Sequence, residues 1–248
     1  MSFTGSVALV TGATSGIGAT TALLLAAQGA HVLVSGRDAE RGEHIVHQIR
    51  TDGGSAHFLA ASLDDARNCR ALATGALALS GHVDILINNA AGGPYGPTAE
   101  IAEADFDACY AVNVKAPFFL TGALAPAMAE RGRGVIVNVS SMVGSFGTAG
   151  SAVYASSKAA LNLLTKSWAA EFGPRGVRVN AVAPGPTATD SARNQFGDQG
   201  LNAMMRSAPA RRVAAPSEIA ETIVWLASDK AGYIHGAVLP VDGGRTAV

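Results

Sequence analysis

Short apolar runs recur along the chain and are separated by longer segments in which apolar and polar residues mix. The runs are rich in Val, Ile and Leu, and they predict strands at residues 7–10, 32–34, 58–60, 85–87, 135–139, 177–182 and 238–241. Several runs are nearly continuous rather than alternating with polar residues. This pattern indicates strands of a parallel sheet that is covered on both faces.

The segments between the predicted strands have helical length and are rich in Ala and Leu, as at residues 19–27, 39–49 and 65–79. Alternating strands and helices predict an α/β fold, here a Rossmann-like doubly wound parallel sheet in a single three-layer domain over residues 1–248. Residues 184–216 collect Gly, Pro, Asp and Asn, so we expect a mobile lid or insertion there. Ligands of such sheets bind beyond the carboxyl ends of the strands.

Composition narrows the class of partner. Of the 248 residues, 48% are hydrophobic and 15% are charged, and the formal net charge is −1. The chain has no basic stretch typical of nucleic-acid binding, and no uninterrupted apolar run approaches the ~20 residues that cross a bilayer. We therefore expect a small-molecule partner, and neither a nucleic acid nor a membrane.

Cysteine and histidine placement bears on metals and on the cellular compartment. Cys69 and Cys109 lie far apart without clustered ligands, and His44 and His47 lack a third ligand, so we expect no disulfide and no metal site. The first charged residue is Arg37, and no basic region precedes the N-terminal apolar residues, which we interpret as mature folded protein rather than an export signal. Reduced cysteines predict a cytoplasmic protein.

A glycine-rich turn, T-G-A-T-S-G-I-G at residues 11–18, follows the first predicted strand and leads directly into a helix. Glycines without a Cβ let the backbone turn tightly and approach a pyrophosphate, and the first N–H groups of the helix attract its negative charge. Glycine clusters also mark ordinary turns. The position at the end of the first strand of an α/β chain favours a dinucleotide site.

Tyr154 and Lys158 lie four residues apart in a segment, 151–172, that has a helical pattern, so they share one helical face. A phenol has a pKa near ~10, and a neighbouring ammonium group would stabilise the phenolate and lower that pKa. Tyr154 can then act as a general acid or base. Such pairs also occur on the surface of ordinary amphipathic helices.

A serine pair, Ser140 and Ser141, follows the predicted strand at residues 135–139. A hydroxyl at this place can stabilise an oxyanion that develops on a carbonyl oxygen, although serines also simply end strands. Neither serine lies in a G-x-S-x-G sequence, so a hydrolase nucleophile is disfavoured.

Taken together, these motifs resemble the short-chain dehydrogenase/reductase family over essentially the entire chain. The resemblance is carried, in order, by the glycine-rich turn at 11–18, Asn88-Asn89-Ala90, Asn113, Ser140-Ser141, the Y-A-S-S-K sequence at 154–158, the N-A-V-A-P-G sequence at 180–185 and the V-D-G-G sequence at 241–244. It implies an NAD(P)(H)-dependent oxidoreductase that interconverts a carbonyl and an alcohol by hydride transfer.

The resemblance also implies residue roles. Tyr154 is the general acid or base, and Ser141, thirteen residues before it, rather than Ser140, polarises the carbonyl. Lys158 lowers the pKa of Tyr154 and holds the nicotinamide ribose, and Asn113, on the helix predicted after Asp105, supports a water path to Lys158. The implied cofactor-binding residues are Gly12, Thr14, Ser15, Gly16, Ile17, Gly18, Arg37, Ser62, Leu63, Asn89, Ala90, Tyr154, Lys158, Pro184, Gly185 and Thr187.

Two positions depart from the family pattern. Ala91 stands where the family usually has glycine, and it is expected to narrow or shift the loop beneath the cofactor. Ser62 stands where the family commonly has an acidic residue near the adenine, so adenine recognition is expected to rest on the Ser62 hydroxyl and the Leu63 backbone.

The end of the second strand discriminates between the two nicotinamide cofactors. An acidic residue there binds a ribose 2′-hydroxyl, whereas an arginine accommodates a 2′-phosphate. Gly36 occupies the acidic position and Arg37 follows it, which favours NADP(H) and leaves NAD(H) possible. Asp38 is the competing acid, but it precedes a helix and is better explained as its N-cap.

Substrate and assembly are less determined by the sequence. An apolar substrate cleft has candidate lining residues at Tyr95, Met142, Val143, Phe146, Phe196, Met204 and Met205, each of which can equally be core. A 3-oxoacyl thioester reductase and a non-catalytic dinucleotide-binding scaffold remain alternatives. The family resemblance implies a homotetramer, and residues 159–170 are apolar on more than one face, as an interface helix or a helix buried within one subunit would be.

Overall fold

The computed structural model describes residues 2–248, and these form one parallel sheet of seven strands in the order β3-β2-β1-β4-β5-β6-β7. The strands are β1 (Val7–Thr11), β2 (His31–Gly36), β3 (Ser55–Ala60), β4 (Ile85–Asn88), β5 (Gly134–Val139), β6 (Val177–Pro184) and β7 (Val238–Val241). The order changes direction between β1 and β4, which places the ligand crevice of such a sheet at their carboxyl ends. The predicted doubly wound fold is confirmed.

The helices of residues 2–248 are α1 (Gly16–Ala27), α2 (Ala39–Thr51), α3 (Ala66–Ser80), α4 (Glu103–Tyr110), α5 (Ala116–Glu130), α6 (Ala152–Phe172), α7 (Asp190–Met204) and α8 (Pro216–Ala227). One apolar cluster packs α1, α2 and α8 on one face of the sheet, and a second packs α3, α5 and α6 on the other. In β1, Ala8 and Val10 belong to the first cluster, and Val7 and Leu9 to the second. Double burial explains the absence of polar alternation.

The segment expected to be an irregular lid is nearly half helical, so that prediction is wrong in part. Residue Pro184 ends β6, and α7 occupies Asp190–Met204. Thr189 caps α7, because its hydroxyl oxygen accepts from the Ala192 amide at 3.2 Å. Gly197, with φ 64° and ψ 162°, interrupts the helix. Of the residues that suggested a loop, Gly197 makes this break, whereas Asn194 and Asn202 lie within helical turns of α7.

Helices α4 and α5 are joined by a π-helical turn, Ala111–Lys115, into one run from Glu103 to Glu130. By length and apolar composition this run would suffice to cross a membrane, but half of its most apolar window is buried inside the fold. Core helices pass the same test, so the run is weak evidence for a membrane span.

Candidate active site

The glycine-rich turn between β1 and α1 has the shape of an anion cradle. Gly12 and Gly16 have φ values of 61° and 54°, which favour glycine, and a side chain at Gly18 would collide with the carbonyl oxygen of Gly12. Helix α1 begins at Gly16, and the Ser15 side chain makes no capping bond to it. The first N–H groups of α1 are therefore free to bind a phosphate, so the turn fits a dinucleotide pyrophosphate.

Asn89 holds this turn in place from the end of β4. Its side-chain amide donates to the carbonyl oxygens of Thr11 at 2.9 Å and Gly12 at 3.0 Å. The Thr11 hydroxyl oxygen in turn accepts from the backbone N–H groups of Asn89 at 3.0 Å and Ala90 at 3.1 Å. Both amide hydrogens of Asn89 are thus used on the protein backbone. The structure places Asn89 as a clamp beneath the cofactor turn.

In the loop after β4, the position that has no room for a side chain is Gly93 and not Ala91. Ala91 is exposed, so its methyl group does not crowd the loop. A side chain at Gly93 would lie 2.9 Å from Sγ of Cys109 and 3.0 Å from Cδ2 of Tyr154. Sequence reasoning missed Gly93, because a Gly-Gly pair is usually interpreted as a simple turn.

The serine pair after β5 divides into two roles. The buried Ser140 hydroxyl is hydrogen-bonded to Oδ1 of Asn162 at 2.5 Å and to the carbonyl oxygen of Lys158 at 3.3 Å, so it links β5 to α6. The Ser141 hydroxyl instead acts on the phenol of Tyr154, whose pKa it lowers. The choice of Ser141 as the residue facing the reacting group stays a prediction.

Tyr154 lies in the first turn of α6, and its burial raises the pKa of the phenol to about 12, while the Ser141 side chain acts in the opposite direction. Lys158 is buried one helical turn further, and burial lowers its pKa to about 8. Its ammonium donates to the Val139 carbonyl oxygen at 2.7 Å and lies 5.7 Å from the centroid of the Tyr154 ring. Without a bound cofactor, burial thus dominates the pKa of Tyr154, and the expected lowering by Lys158 together with a positively charged nicotinamide stays a prediction.

Asn113 is buried in the π-helical turn, which excludes its interpretation as a helix-surface residue. Its side-chain nitrogen donates to the Gly92 carbonyl oxygen and to the Ser157 hydroxyl, each at 2.9 Å, and its side-chain oxygen accepts from the Gly92 N–H at 3.1 Å. Asn113 therefore connects the loop after β4 to α6 through Ser157, three residues after Tyr154.

At the end of β2 no acidic side chain is free. A side chain at Gly36 would lie 2.5 Å from Cγ2 of Thr14 in the glycine-rich turn. Asp38 accepts from the Arg41 N–H at 3.0 Å and pairs with its guanidinium at 3.2 Å, which confirms its capping of α2. Arg37 is exposed beside the turn. The end of β2 thus leaves no free carboxylate for a ribose hydroxyl, and Arg37 follows Gly36 directly in the sequence.

The expected adenine residues lie just after β3. Ser62 is exposed and its hydroxyl donates to Oδ2 of Asp64 at 3.1 Å, whereas the Leu63 side chain is buried. Asp65 caps α3 by accepting from the Asn68 N–H at 2.6 Å. The neighbouring acidic groups are therefore used locally, and the Ser62 oxygen keeps its acceptor capacity.

After β6, the chain packs closely on β7 and returns to the glycine-rich turn. A side chain at Gly185 would lie 2.8 Å from Cα of Asp242, and the buried Thr187 hydroxyl donates to the Gly185 carbonyl oxygen at 3.0 Å. A side chain at Gly16 would lie 3.0 Å from Cγ2 of Thr189. Thr189, which sequence reasoning missed, therefore borders the cofactor turn. Its only sequence signal is a Thr-Asp pair typical of a helix start.

The candidate cleft residues separate into core and site. Met142 and Met205 are buried in the core, whereas Met204 is exposed and Val143 is half-buried. The Phe146 ring lies 5.5 Å from the Arg245 guanidinium.

The Tyr95 ring belongs to the site itself. Its centroid lies 5.5 Å from that of Tyr154 and 5.0 Å from that of Phe196. Among the described residues, no group of three or more His, Cys, Asp or Glu side chains is arranged to hold a metal ion.

Comparison with known proteins finds relatives that are named as reductases, dehydrogenases or oxidoreductases. A family model described as enoyl-(acyl carrier protein) reductase matches residues 12–246. An uncharacterized oxidoreductase of Thermotoga maritima is 41% identical over 253 residues, with 100% of each chain covered. A cyclopentanol dehydrogenase of Comamonas sp. is 37% identical, with 97% of each chain covered. A 3-oxoacyl-(acyl-carrier-protein) reductase of Thermotoga maritima is 35% identical, with 98% of this chain and 99% of the relative covered.

Solved structures share both fold and sequence with this chain. A short-chain dehydrogenase/reductase family protein matches with a TM-score of 0.91 at 44% identity, covering 100% of both chains. A structure assigned as an NAD(P)-dependent gluconate 5-dehydrogenase from Beutenbergia cavernae, with bound NADP, matches at 0.93 and 38%, covering 100% of this chain and 99% of that one. A 7α-hydroxysteroid dehydrogenase with NADH and a 7-oxo bile acid matches at 0.92 and 36%, covering 98% and 95%.

Proposed function

The chain belongs to the short-chain dehydrogenase/reductase family and is an NAD(P)-dependent oxidoreductase that interconverts carbonyls and alcohols, and from this premise we propose that Tyr154, Ser141 and Lys158 carry its chemistry. Bound nicotinamide supplies the hydride to the carbonyl carbon in reduction and accepts it in oxidation. Tyr154 gives a proton to the carbonyl oxygen during reduction and takes one from the alcohol during oxidation.

Each of the other two side chains assists that proton transfer. The Ser141 hydroxyl donates to the oxygen on which negative charge develops. The Lys158 ammonium stabilises the phenolate that remains on Tyr154 after reduction and holds the nicotinamide ribose. Because burial keeps the pKa of Tyr154 at about 12, its phenol is protonated at neutral pH and ready to act as an acid. The positive charge of an oxidised nicotinamide lowers that pKa and favours the base needed for oxidation.

One observation supports these assignments above the others. The Ser141 hydroxyl is close enough to the Tyr154 phenol to lower its pKa, while the neighbouring Ser140 hydroxyl is hydrogen-bonded to Asn162. A donor and a proton carrier that meet at the carboxyl end of β5 can contact a single carbonyl oxygen together. A non-catalytic scaffold would have no need of this pairing.

The direct test is Tyr154→Phe, which removes the hydroxyl and keeps the ring. We expect NADPH affinity to stay within about twofold and turnover of ketones to fall by a factor on the order of 10² to 10⁴, because general acid catalysis contributes that much. NADPH fluorescence titration measures the first, and its oxidation with a panel of ketones measures the second. Turnover equal to that of the unmodified protein would overturn the assignment.

We further propose a preference for NADP(H) over NAD(H). Arg37 is exposed beside the glycine-rich turn, Gly36 has no room for a side chain, and Asp38 is engaged with Arg41. Related structures hold NADP in one case and NADH in another, so the preference rests on these residues of the chain.

A 3-oxoacyl thioester is a second candidate substrate. The 3-oxoacyl-(acyl-carrier-protein) reductase of Thermotoga maritima is 35% identical to this chain and nearly equal in span. The cyclopentanol dehydrogenase of Comamonas sp., at 37% identity, represents the contrasting class of cyclic alcohols.

We also propose that the protein acts as a homo-oligomer, in keeping with the tetramers usual in its family. A groove of about 530 Å³ runs between α5 and α6. Its apolar rim includes Phe118 and Leu163, whose side chains are 48% and 66% exposed. Leu161 and Trp168 of α6 are buried in the core. Residues 159–170 therefore pack into the subunit on one face and present an apolar surface on the other.

We propose a cytoplasmic location as well. Its support is that both cysteines, Cys69 and Cys109, are free and buried.

A further inference from the structure

Three aromatic rings form a row that begins at the proposed proton carrier. Tyr154 lies next to Tyr95, with centroids 5.5 Å apart and planes inclined at 36°. Tyr95 meets Phe196 edge to face, at 5.0 Å and 86°. Tyr95 is still 39% exposed, so part of its surface is open beside Tyr154. We call Tyr95 and Phe196 together the aromatic wall.

The Tyr95 half of the wall is fixed to the fold at both sides. On one side, Gly92 exchanges hydrogen bonds with the buried Asn113, at 3.1 Å and 2.9 Å. On the other side, the Gly96 N–H donates to the Gly150 carbonyl oxygen at 2.8 Å. Gly93, between these anchors, packs against Tyr154 without room for a side chain. A ring held in this way loses little conformational entropy when a substrate packs on it.

The Phe196 half comes from α7, next to the break at Gly197. A side chain at Gly197 would meet nothing within 4 Å, so the glycine serves the backbone turn and not close packing. The turn changes the direction of α7 where the Phe196 ring approaches Tyr95. The wall is therefore built from two separate segments of the chain that meet at the Tyr95 ring, which in turn lies beside Tyr154.

We propose that the aromatic wall selects ketones whose reacting carbonyl belongs to a ring over linear ketones and linear 3-oxoacyl thioesters. This inference rests on the proposed function, since it takes the carbonyl oxygen to lie at Ser141 and Tyr154. The carbons flanking that carbonyl then lie next to Tyr95. A ring holds both flanking carbons in one rigid face that packs on the aromatic surface, whereas a linear chain must lose rotational freedom to do so.

The test uses cyclohexanone and 2-hexanone, which have the same number of carbons and differ by ring closure. Because ring ketones differ from linear ones in intrinsic reactivity, the quantity compared is the ratio of the two kcat/KM values between variants. We expect Tyr95→Leu and Phe196→Leu each to lower the cyclohexanone to 2-hexanone ratio about fivefold to tenfold, the size of a lost aromatic packing contact. NADPH affinity should be unchanged.

Two further variants separate a specific effect from a general one. Tyr95→Phe keeps the ring and should keep the ratio. Phe106→Leu removes an exposed aromatic, 43% accessible, that stacks on Tyr110 at 4.7 Å outside the wall, and it should leave the ratio unchanged. A ratio that stays within twofold in both leucine variants overturns the proposal, as does an equal loss in Tyr95→Phe or Phe106→Leu. If the unmodified protein reduces neither of these two ketones but oxidises NADPH with another carbonyl compound, the aromatic-wall proposal fails and the proposed function stands. The proposed function fails only if no carbonyl compound of the panel, 3-oxoacyl thioesters included, is reduced.

Discussion

Lys158 combines full burial with the charge that its proposed role at the cofactor site requires. Burial lowers its pKa from 10.5 to about 8, so its ammonium is charged below about pH 8 and loses its proton as the pH rises through that value. The only hydrogen bond that the described residues offer it is the Val139 carbonyl oxygen, at 2.7 Å. Its remaining donors are available to a bound ribose.

This titration gives a pH dependence for cofactor binding. We expect NADPH affinity, measured by fluorescence from about pH 7 to about pH 9.5, to fall several-fold as Lys158 becomes neutral. In Lys158→Met the affinity should be weak and free of an inflection near pH 8. An unmodified protein that binds NADPH equally well across the range would contradict the assigned role of Lys158.

Arg37 provides the second prediction at the scale of single residues. A hydrogen bond between charged groups contributes about 1.5–3 kcal/mol, so Arg37→Leu should weaken NADPH binding by about tenfold to a hundredfold and leave NADH binding unchanged. Arg41→Leu is the matched control, because Arg41 is also exposed but pairs with Asp38. Equal losses for NADPH and NADH would show that Arg37 does not contact the 2′-phosphate.

At the scale of elements, Arg178 joins β6 to the end of α8. Its buried guanidinium donates to the carbonyl oxygens of Leu226, Ala227, Ser228 and Ala231, at 2.8 to 3.2 Å. The last carbonyls of a helix lack partners within it, and a cation there also complements the helix dipole. One side chain thus satisfies several backbone groups that burial would otherwise leave unpaired.

Removing this side chain should destabilise the fold. Arg178→Met leaves the buried carbonyl oxygens without their donor, and we expect the free energy of unfolding to fall by about 3 kcal/mol. Urea unfolding measures the change. Arg175→Met, at an exposed arginine near the same end of β6, should cost less than about 1 kcal/mol. A similar small loss for both variants would argue against the role of Arg178.

Elements differ in how far their sequence predicted them. The strand predicted at residues 58–60 begins at Ser55 in the structure. Its pairing partner β2 extends over His31–Gly36, and this pairing includes Ser55, Ala56 and His57 although they are not an apolar run. Helix α7 was predicted as a loop, since its Gly, Asn and Asp residues are poor helix formers. Its cap at Thr189 and the burial of Leu201 act against that preference.

At the scale of the whole molecule, the exposed apolar groove between α5 and α6 predicts self-association. Leu163→Asp places a charge in the groove and should shift the sedimentation coefficient to that of a smaller species, because burying an unpaired charge in an interface is unfavourable. Leu79→Asp is the control, since Leu79 is 52% exposed on α3, outside the groove. An unmodified protein that sediments as a monomer at all concentrations would remove the basis for the proposed oligomer.

The sequence by itself determined the α/β class, the strand positions, the glycine-rich turn and the order of the motifs, because these depend on local periodicity and spacing. Only the tertiary structure showed that the Ser140 hydroxyl binds Asn162, placed Asn113 and Asn89 as clamps and brought Thr189 to the glycine-rich turn. The same holds for the Tyr154 pKa, which burial raises, and for the contact of Tyr95 with Phe196. Burial and partners across the sheet arise between segments far apart in the chain, so no local pattern encodes them.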